Sequence, residues 1–344
     1  MNRKISINRT SSVLRRIIND KVVIAYILVI VLFIVGQIII PGFLSFSHVM
    51  GVLQASFFLG MIALAQTFVI ISGKEDFDLS VGGTLTVGVI LGAAVLNGVN
   101  ANLPLAIIAV ILAGLFFGTI NGLGIMYLRI APLIMTLAMA MVIEGILLFT
   151  TKGMLYGKAS PALEIIGRGF LEFTIMGYLV KIPWVIIIWT ILIVISVVIL
   201  NRTSIGYTLR GIGTNIRAAE LLGIRVKVVK VAIYSFSGMI SSLMGLFLLG
   251  YVIHPNISLG LGHKINYPIL SIVAVIIGGI GGGSGSYIGA VAGSIFLITL
   301  NSILVTLGLN EGARMTFTGL VLLILLALYT RRHMEGKRLR KVRK

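Results

Sequence analysis

GIGTNIRAAELLGIRVKVVK, residues 211–230, is the longest strongly polar interruption in a sequence that otherwise reads as membrane. Asn215 can cap a short helix. Ala218, Leu221 and Leu222 give that helix an apolar edge at i, i+3 and i+4, and Gly223 can end it in the left-handed conformation. Arg217, Arg225, Lys227 and Lys230 surround it, which by the positive-inside rule puts it on the cytoplasmic side. A short capped helix between two spans has the form of a docking element. An ordinary positively charged loop has the same composition, and the residues alone leave both readings open.

The rest of the chain sets this loop in a membrane. Of its 344 residues 58% are apolar and only 11% charged, and the mean hydropathy is +1.10. That composition describes a polytopic membrane protein rather than a soluble domain. The absence of cysteine excludes disulfides, thiol catalysis and zinc–thiolate sites. A net charge of +18 would suit nucleic acid, but its placement argues against that partner. Six basic residues precede the first span (Arg3, Lys4, Arg9, Arg15, Arg16, Lys21), and eight follow the last, from Arg331 to Lys344. Six more lie in the central loop: Arg202, Arg210, Arg217, Arg225, Lys227 and Lys230. Charge flanking spans predicts anionic lipid headgroups and a cytoplasmic subunit as partners.

The apolar pattern predicts an all-α, polytopic helical bundle of about ten spans: 22–40, 50–72, 79–98, 104–126, 132–150, 181–200, 231–252, 268–283, 286–308 and 313–330. The first run is long enough to be a retained span, and no small-residue cleavage site follows it. An even count starting from a cytoplasmic N-terminus returns the C-terminus to the cytoplasm. The expected organisation is a basic cytoplasmic tail over 1–21, a transmembrane region over 22–330 with its central cytoplasmic loop at about 201–230, and a second basic cytoplasmic tail over 331–344.

Between the second and third spans, Ser72 to Ser80 reads SGKEDFDLS, with Glu75, Asp76 and Asp78 crowded beside Lys74. Asp78 or Ser80 can cap the third span, or an acid at a broken helix can gate or line a path. Gly114, Gly118 and Gly122 form a small-residue ridge suited to close helix packing, within the molecule or between subunits. Asn121 lies within it and needs a hydrogen-bond partner. Pro132 is a favourable first helical residue, and Glu144 falls inside the span it opens. Such an acid faces a cavity or a partner, or reaches the interface. The stretch Thr151 to Val180 carries apolar residues such as Ile165, Ile166, Phe170 and Leu171, so it is expected outside, resting on the membrane surface or over the spans. Ser237, Gly238, Ser241, Ser242 and Gly245 give the seventh span a small-residue face. His254 and His263 lie nine apart in a loop and make a poor case for a metal. The run GGIGGGSGS, Gly278 to Ser286, lacks the lysine of a phosphate-binding loop, so no nucleotide is expected there.

The run Thr203, Gly206, Gly213, Asn215, Ala218, Ala219, Gly223, Ile224, Val226, Lys230, Tyr234, Ser237, Gly238 and Gly245 resembles the coupling region of the ribose-type (simple sugar and autoinducer-2) permeases. These are the membrane subunits of bacterial ABC importers. Asp78, Leu79, Ser80, Val81 and Gly82 match a second element of that family, and the likeness covers roughly residues 45 to 330. Departures occur before Asp78, at Glu144, where the family often has arginine, and at Pro268 and Leu270, where it has acids.

The resemblance implies a bacterial cytoplasmic-membrane permease that carries a sugar or sugar-like solute, with no catalytic or metal site of its own. ATP and Mg would be bound by a separate cytoplasmic ATP-binding subunit. Solute would arrive on an external binding protein and cross between two permease chains, alike or different. Coupling would run through Asn215, Ala218, Ala219, Glu220, Leu221, Leu222, Gly223 and Ile224. Candidate path residues are Asp78, Ser80, Asn121, Thr136, Glu144 and Asn301, with Gln54, Gln66 and Asn97 as further polar positions. Competing readings are the same mechanism with branched-chain amino acid, nucleoside or autoinducer-2 cargo, an ion-coupled secondary transporter using Glu144 or Asp78, and a passive channel.

Overall fold

The computed structural model describes residues 20–73, 75–175, 178–253, 266–321 and 323–324. Lys74, His254, His263, the tail bases up to Arg16 and those from Arg331 onward lie outside the described residues. The elements in order are α1 (Lys21–Ile39), α2 (Phe46–Ile71), α3 (Val81–Leu96), α4 (Leu103–Met126), α5 (Pro132–Thr151) and α6 (Pro161–Arg168). A hairpin of β1 (Phe170–Ile175) and β2 (Tyr178–Pro183) follows. Then come α7 (Trp184–Arg202), α8 (Ser204–Thr214), α9 (Ile216–Leu221), α10 (Val226–Tyr251), α11 (Tyr267–Ile277) and α12 (Tyr287–Thr306). Helical residues 311–321 come last.

Seven described helices are long and apolar enough to cross a membrane: α1, α2, α4 (with its preceding turn), α5, α7, α10 and α12. Two expected spans are shorter than predicted. α3 and α11 have 16 and 11 residues, ~24 and ~17 Å of helix against a hydrocarbon core of ~30 Å. α3 starts after the irregular segment 72–80 and ends at Asn97, which turns left-handed at φ 41°, and α11 stops at the glycine-rich segment 278–286. The chain is mostly helical, as expected, with one addition among the described residues: the hairpin, whose strands pair antiparallel with Glu172 opposite Lys181. Those two side chains form an ion pair at 2.7 Å. Its β2 strand takes the residues expected to begin the sixth span, so α7 starts at Trp184.

Burial separates inner from outer helices. In α2, 94% of the most apolar window is buried, whereas α1, α4, α5 and α7 bury only 17–22% of theirs. An exposed Leu or Ile costs little in lipid, so the outer helices need no polar face. Inner helices carry buried hydroxyls instead, and these donate back to their own helix. Thr67 bonds the Ala63 carbonyl at 2.7 Å, Ser241 that of Ser237 at 2.8 Å and Ser294 that of Ala290 at 2.8 Å. Trp189 of α7 donates to the Tyr287 hydroxyl of α12, which donates to the Gly60 carbonyl of α2, both at 2.8 Å, pinning three helices together.

α10 is held between α3 and α4 by small residues. A Cβ added at Gly114 would meet the Gly238 carbonyl, one at Gly118 the Tyr234 carbonyl, and one at Gly245 the Leu85 carbonyl. The glycine ridge is thus used within the molecule, where side-chain-free faces let backbones touch. At the far end of α10 from the 211–230 loop, α6 lies across its last turn. Ser160 caps α6 at the Leu163 amide, and Gln54 of α2 donates to the Gly167 carbonyl at 3.2 Å.

Candidate coupling site

The 211–230 loop folds as expected into a short capped helix, α9. Asn215 is extended, with φ −158°, and its Oδ1 accepts from the Ala218 amide at 3.1 Å. The helix ends in a Schellman motif: Ile224 N donates to Ala219 O at 3.1 Å, Gly223 N donates to Glu220 O at 2.9 Å, and Gly223 takes φ +80°. Ala219 faces inward and is buried with Ile212 and Val226. Ala218 is exposed beside Leu221 and Leu222, which are 87% and 82% exposed. Two neighbouring leucines this open, on a helix capped at both ends, are a ready contact surface. The seventh span begins at Val226 rather than 231, so Lys227 and Lys230 belong to α10 and not to the loop.

α8, which leads into α9, is braced from behind. Gly213 packs on the Ile71 carbonyl and the backbone of Gly283, and Gly283 N donates to Ile71 O at 2.8 Å. Arg210 Nη2 reaches the Gly285 carbonyl at 3.1 Å and Asn201 Oδ1 at 2.7 Å. The glycine-rich turn is therefore a seat for α8. Gly283 has φ +78° there and no room for a Cβ beside Thr214.

A buried polar network stands one layer deeper. Asp78 Oδ1 accepts from Ser80 N at 3.0 Å and Ser80 Oγ at 2.6 Å, and Asp78 Oδ2 accepts from Ser237 Oγ at 2.6 Å. Asn121 Nδ2 donates to Ser80 Oγ at 2.8 Å, which supplies the partner its place in the ridge demanded. Gln66 bonds the Asp78 backbone at both its amide and its carbonyl. Burial pushes the Asp78 carboxyl above the usual carboxylate range, and the bonds from Ser237 and Ser80 oppose that shift. The expected helix cap is corrected. Ser80 occupies the N-cap of α3, but its side chain accepts from no helix amide, because it is committed to Asp78 and Asn121. Replacing Asp78 by Ala strands Ser80 and Ser237 as buried donors. It should cost ~2–4 kcal/mol, read as a lower unfolding midpoint in detergent, with Asp78→Asn intermediate.

Three of the six path candidates, Asp78, Ser80 and Asn121, thus meet in one place. Thr136 is buried and bonds its own helix at Pro132, while Glu144 and Asn301 are half-buried on α5 and α12. Among the described residues no hydrogen bond joins these three to the network. Sequence reading missed the ion pair of Lys230 with Asp76, in which both residues are buried. It counted Lys230 among the bases flanking spans. The usable signal was helical spacing, since Lys230, Tyr234 and Ser237 fall at i, i+4 and i+7 on one face. Beside this pair a cleft of about 700 Å³ opens between α9 and the segment joining α4 to α5. Among the described residues no cluster of His, Asp and Glu could hold a metal ion.

Comparison with known proteins follows the same lines. Residues 48–326 match the family described as branched-chain amino acid transport system / permease component. The chain is 34% identical over 298 residues to a ribose import permease protein of Bacillus subtilis, covering 86% of this chain and 88% of the relative. It is 28% identical over 319 residues to an autoinducer 2 import system permease protein of Escherichia coli, covering 91% and 88%. It is 28% identical over 269 residues to a fructose import permease protein of Bifidobacterium longum, covering 77% and 72%. No solved structure matches. A family match over most of its length and a relative this similar, joined to a bundle of apolar helices, place the chain in this family of ABC importer permeases, as a multi-pass protein of the bacterial cytoplasmic membrane.

Proposed function

We propose that the chain, paired with a second permease chain, forms the path by which a sugar or sugar-like solute enters the cell. An external binding protein delivers the solute, and a separate cytoplasmic subunit hydrolyses ATP with Mg. The energy enters through Asn215 to Ile224. One observation carries this reading: Leu221 and Leu222 stand almost fully open on a helix capped at both ends, which packs through Ala219 on Ile212 and Val226, with α8 before it seated on α2 and the 278–286 turn. The ribose, autoinducer-2 and fructose permeases among the relatives support the cargo class. In this reading both basic tails, 1–21 and 331–344, face the cytoplasm with α9, and α6 with the hairpin faces outward as a docking surface for the binding protein. Asp78, Ser80 and Asn121 hold the broken link at the head of α3, while Thr136, Glu144 and Asn301 line the path.

Pull-down of the tagged chain in mild detergent, with mass spectrometry of what accompanies it, tests the assignment. An ATP-binding subunit and a secreted solute-binding protein are expected. Reproducible recovery of the intact chain alone would overturn it. Substituting Glu144 by Gln should leave uptake within about twofold of the parent, because an ATP-driven carrier needs no titrating acid in midspan. An uptake that loses a proton or sodium dependence with this change would point to ion coupling.

A further inference from the structure

Lys230, Tyr234 and Ser237, on one face of α10, meet three consecutive residues of the 72–80 link in order. Lys230 Nζ pairs with the Asp76 carboxylate, the Tyr234 hydroxyl lies 3.5 Å from the Phe77 carbonyl, and Ser237 Oγ donates to Asp78 at 2.6 Å. The upper rung is part of the Asp78 network and is enclosed on all sides. The lowest differs: Asp76 and Lys230 are buried, yet both also border the cleft beside α9. Glu75 and Glu220, and Arg129, Arg217 and Lys227, line the same cleft. Each member of the pair therefore has opposite charges within the same cavity.

A buried ion pair is a poor device for mere adhesion, since apolar residues of similar volume often hold a fold as well or better. What it adds is a contact that can open into a polar cavity without leaving bare charges in hydrocarbon. The mechanical connection is short. Ala219 of α9 packs on Val226, one turn before Lys230 on α10, so a displacement of α9 acts first on the base of α10.

We propose that Lys230 and Asp76 are positioning residues of the transport step, forming the rung at which the base of α10 releases and re-engages the α2–α3 link as α9 moves, with Lys230 exchanging into the cleft. This rests on the reading of α9 as the docking helix for the ATP-hydrolysing subunit.

The test uses the full chain assembled with its ATP-binding subunit in liposomes. The chain has no native cysteine, so Glu75→Cys with Lys227→Cys places a spin label on each of two exposed positions that border the cleft from opposite elements, while Glu220, Arg129 and Arg217 keep both signs of charge in it. Electron–electron distance measurements are made without nucleotide and with Mg·ATP and vanadate. The distance distribution is expected to shift on adding nucleotide. The shift should vanish when Lys230→Met and Asp76→Leu replace the pair by an apolar contact, and return in Lys230→Arg, where the pair can re-form. A chain that binds its ATP-hydrolysing subunit yet gives one distance in both states overturns the proposal, and this measurement stands even if the apolar variant does not fold. An apolar variant that shifts like its parent overturns it equally, leaving the pair a structural tie. If the unmodified chain does not co-purify with an ATP-binding subunit, the docking reading falls, and this proposal falls with it.

Discussion

Replacing Leu221 and Leu222 together by glutamate is expected to cut co-purification of the ATP-binding subunit more than tenfold while leaving yield and unfolding midpoint unchanged. Both side chains are almost fully open, so the permease loses no packing when they change. Burying a leucine on a partner contributes ~1.5–3 kcal/mol, and each ~1.4 kcal/mol is a factor of ten in affinity. Two leucines replaced by charge therefore exceed the tenfold threshold even if each buries only half its surface. Ala219→Phe should give the same loss by another route. Ala219 sits against Ile212 and Val226, and a larger ring there lifts α9 off its seat. Gly223→Arg adds strain at φ +80° and loosens the C-terminal cap. Parental co-purification in the Leu221 and Leu222 double variant, at parental expression, would remove α9 from the docking role.

The second large effect is expected at Gly245. Its Cβ position lies against the Leu85 carbonyl and the Gly88 backbone of α3, while Gly238, two turns earlier, lies against the Gly114 carbonyl of α4. Helix backbone cannot rotate aside as a side chain can, so Gly245→Val must drive α10 away from α3. That separation opens the packing around Asp78 and Ser237 as well. The cost should reach or pass the upper end of the ~1–3 kcal/mol typical of overpacking. Less than one-tenth of the parental amount should elute as a monodisperse peak in detergent. Gly145→Val is the control, because an added Cβ at that exposed position on α5 meets nothing. Equal yields for the two variants would show that the α3–α10 contact tolerates separation.

Much of this arrangement is legible in the sequence. Asn215 and Gly223 specify α9 because capping is chemistry local to a few residues, and the structure places both as the sequence requires. The ridge of Gly114, Gly118 and Gly122 announced a close helix contact, and Asn121 announced a need for a polar partner. The boundaries of the shorter helices were harder. Hydropathy runs on through 79–98 and 268–283, while the hydrogen-bonded ladder of α3 and α11 covers less of each run. The hairpin escaped notice because its apolar residues look the same resting on a membrane or paired in strands.

By itself the sequence determined the membrane class, the places of most helices and the capped helix between α8 and α10, because each depends on hydrophobic length or on neighbours a few residues apart. Only the tertiary structure decided who meets whom across the chain. Ser80 looked like a cap and is instead a bridge between Asp78 and Asn121, 41 residues away. Lys230 looked like a solvated flank and is buried against Asp76, 154 residues distant. Composition assigns a charge to water by default. Packing α10 between α3 and α4 removes that water, so Lys230 and Asp76 must find each other.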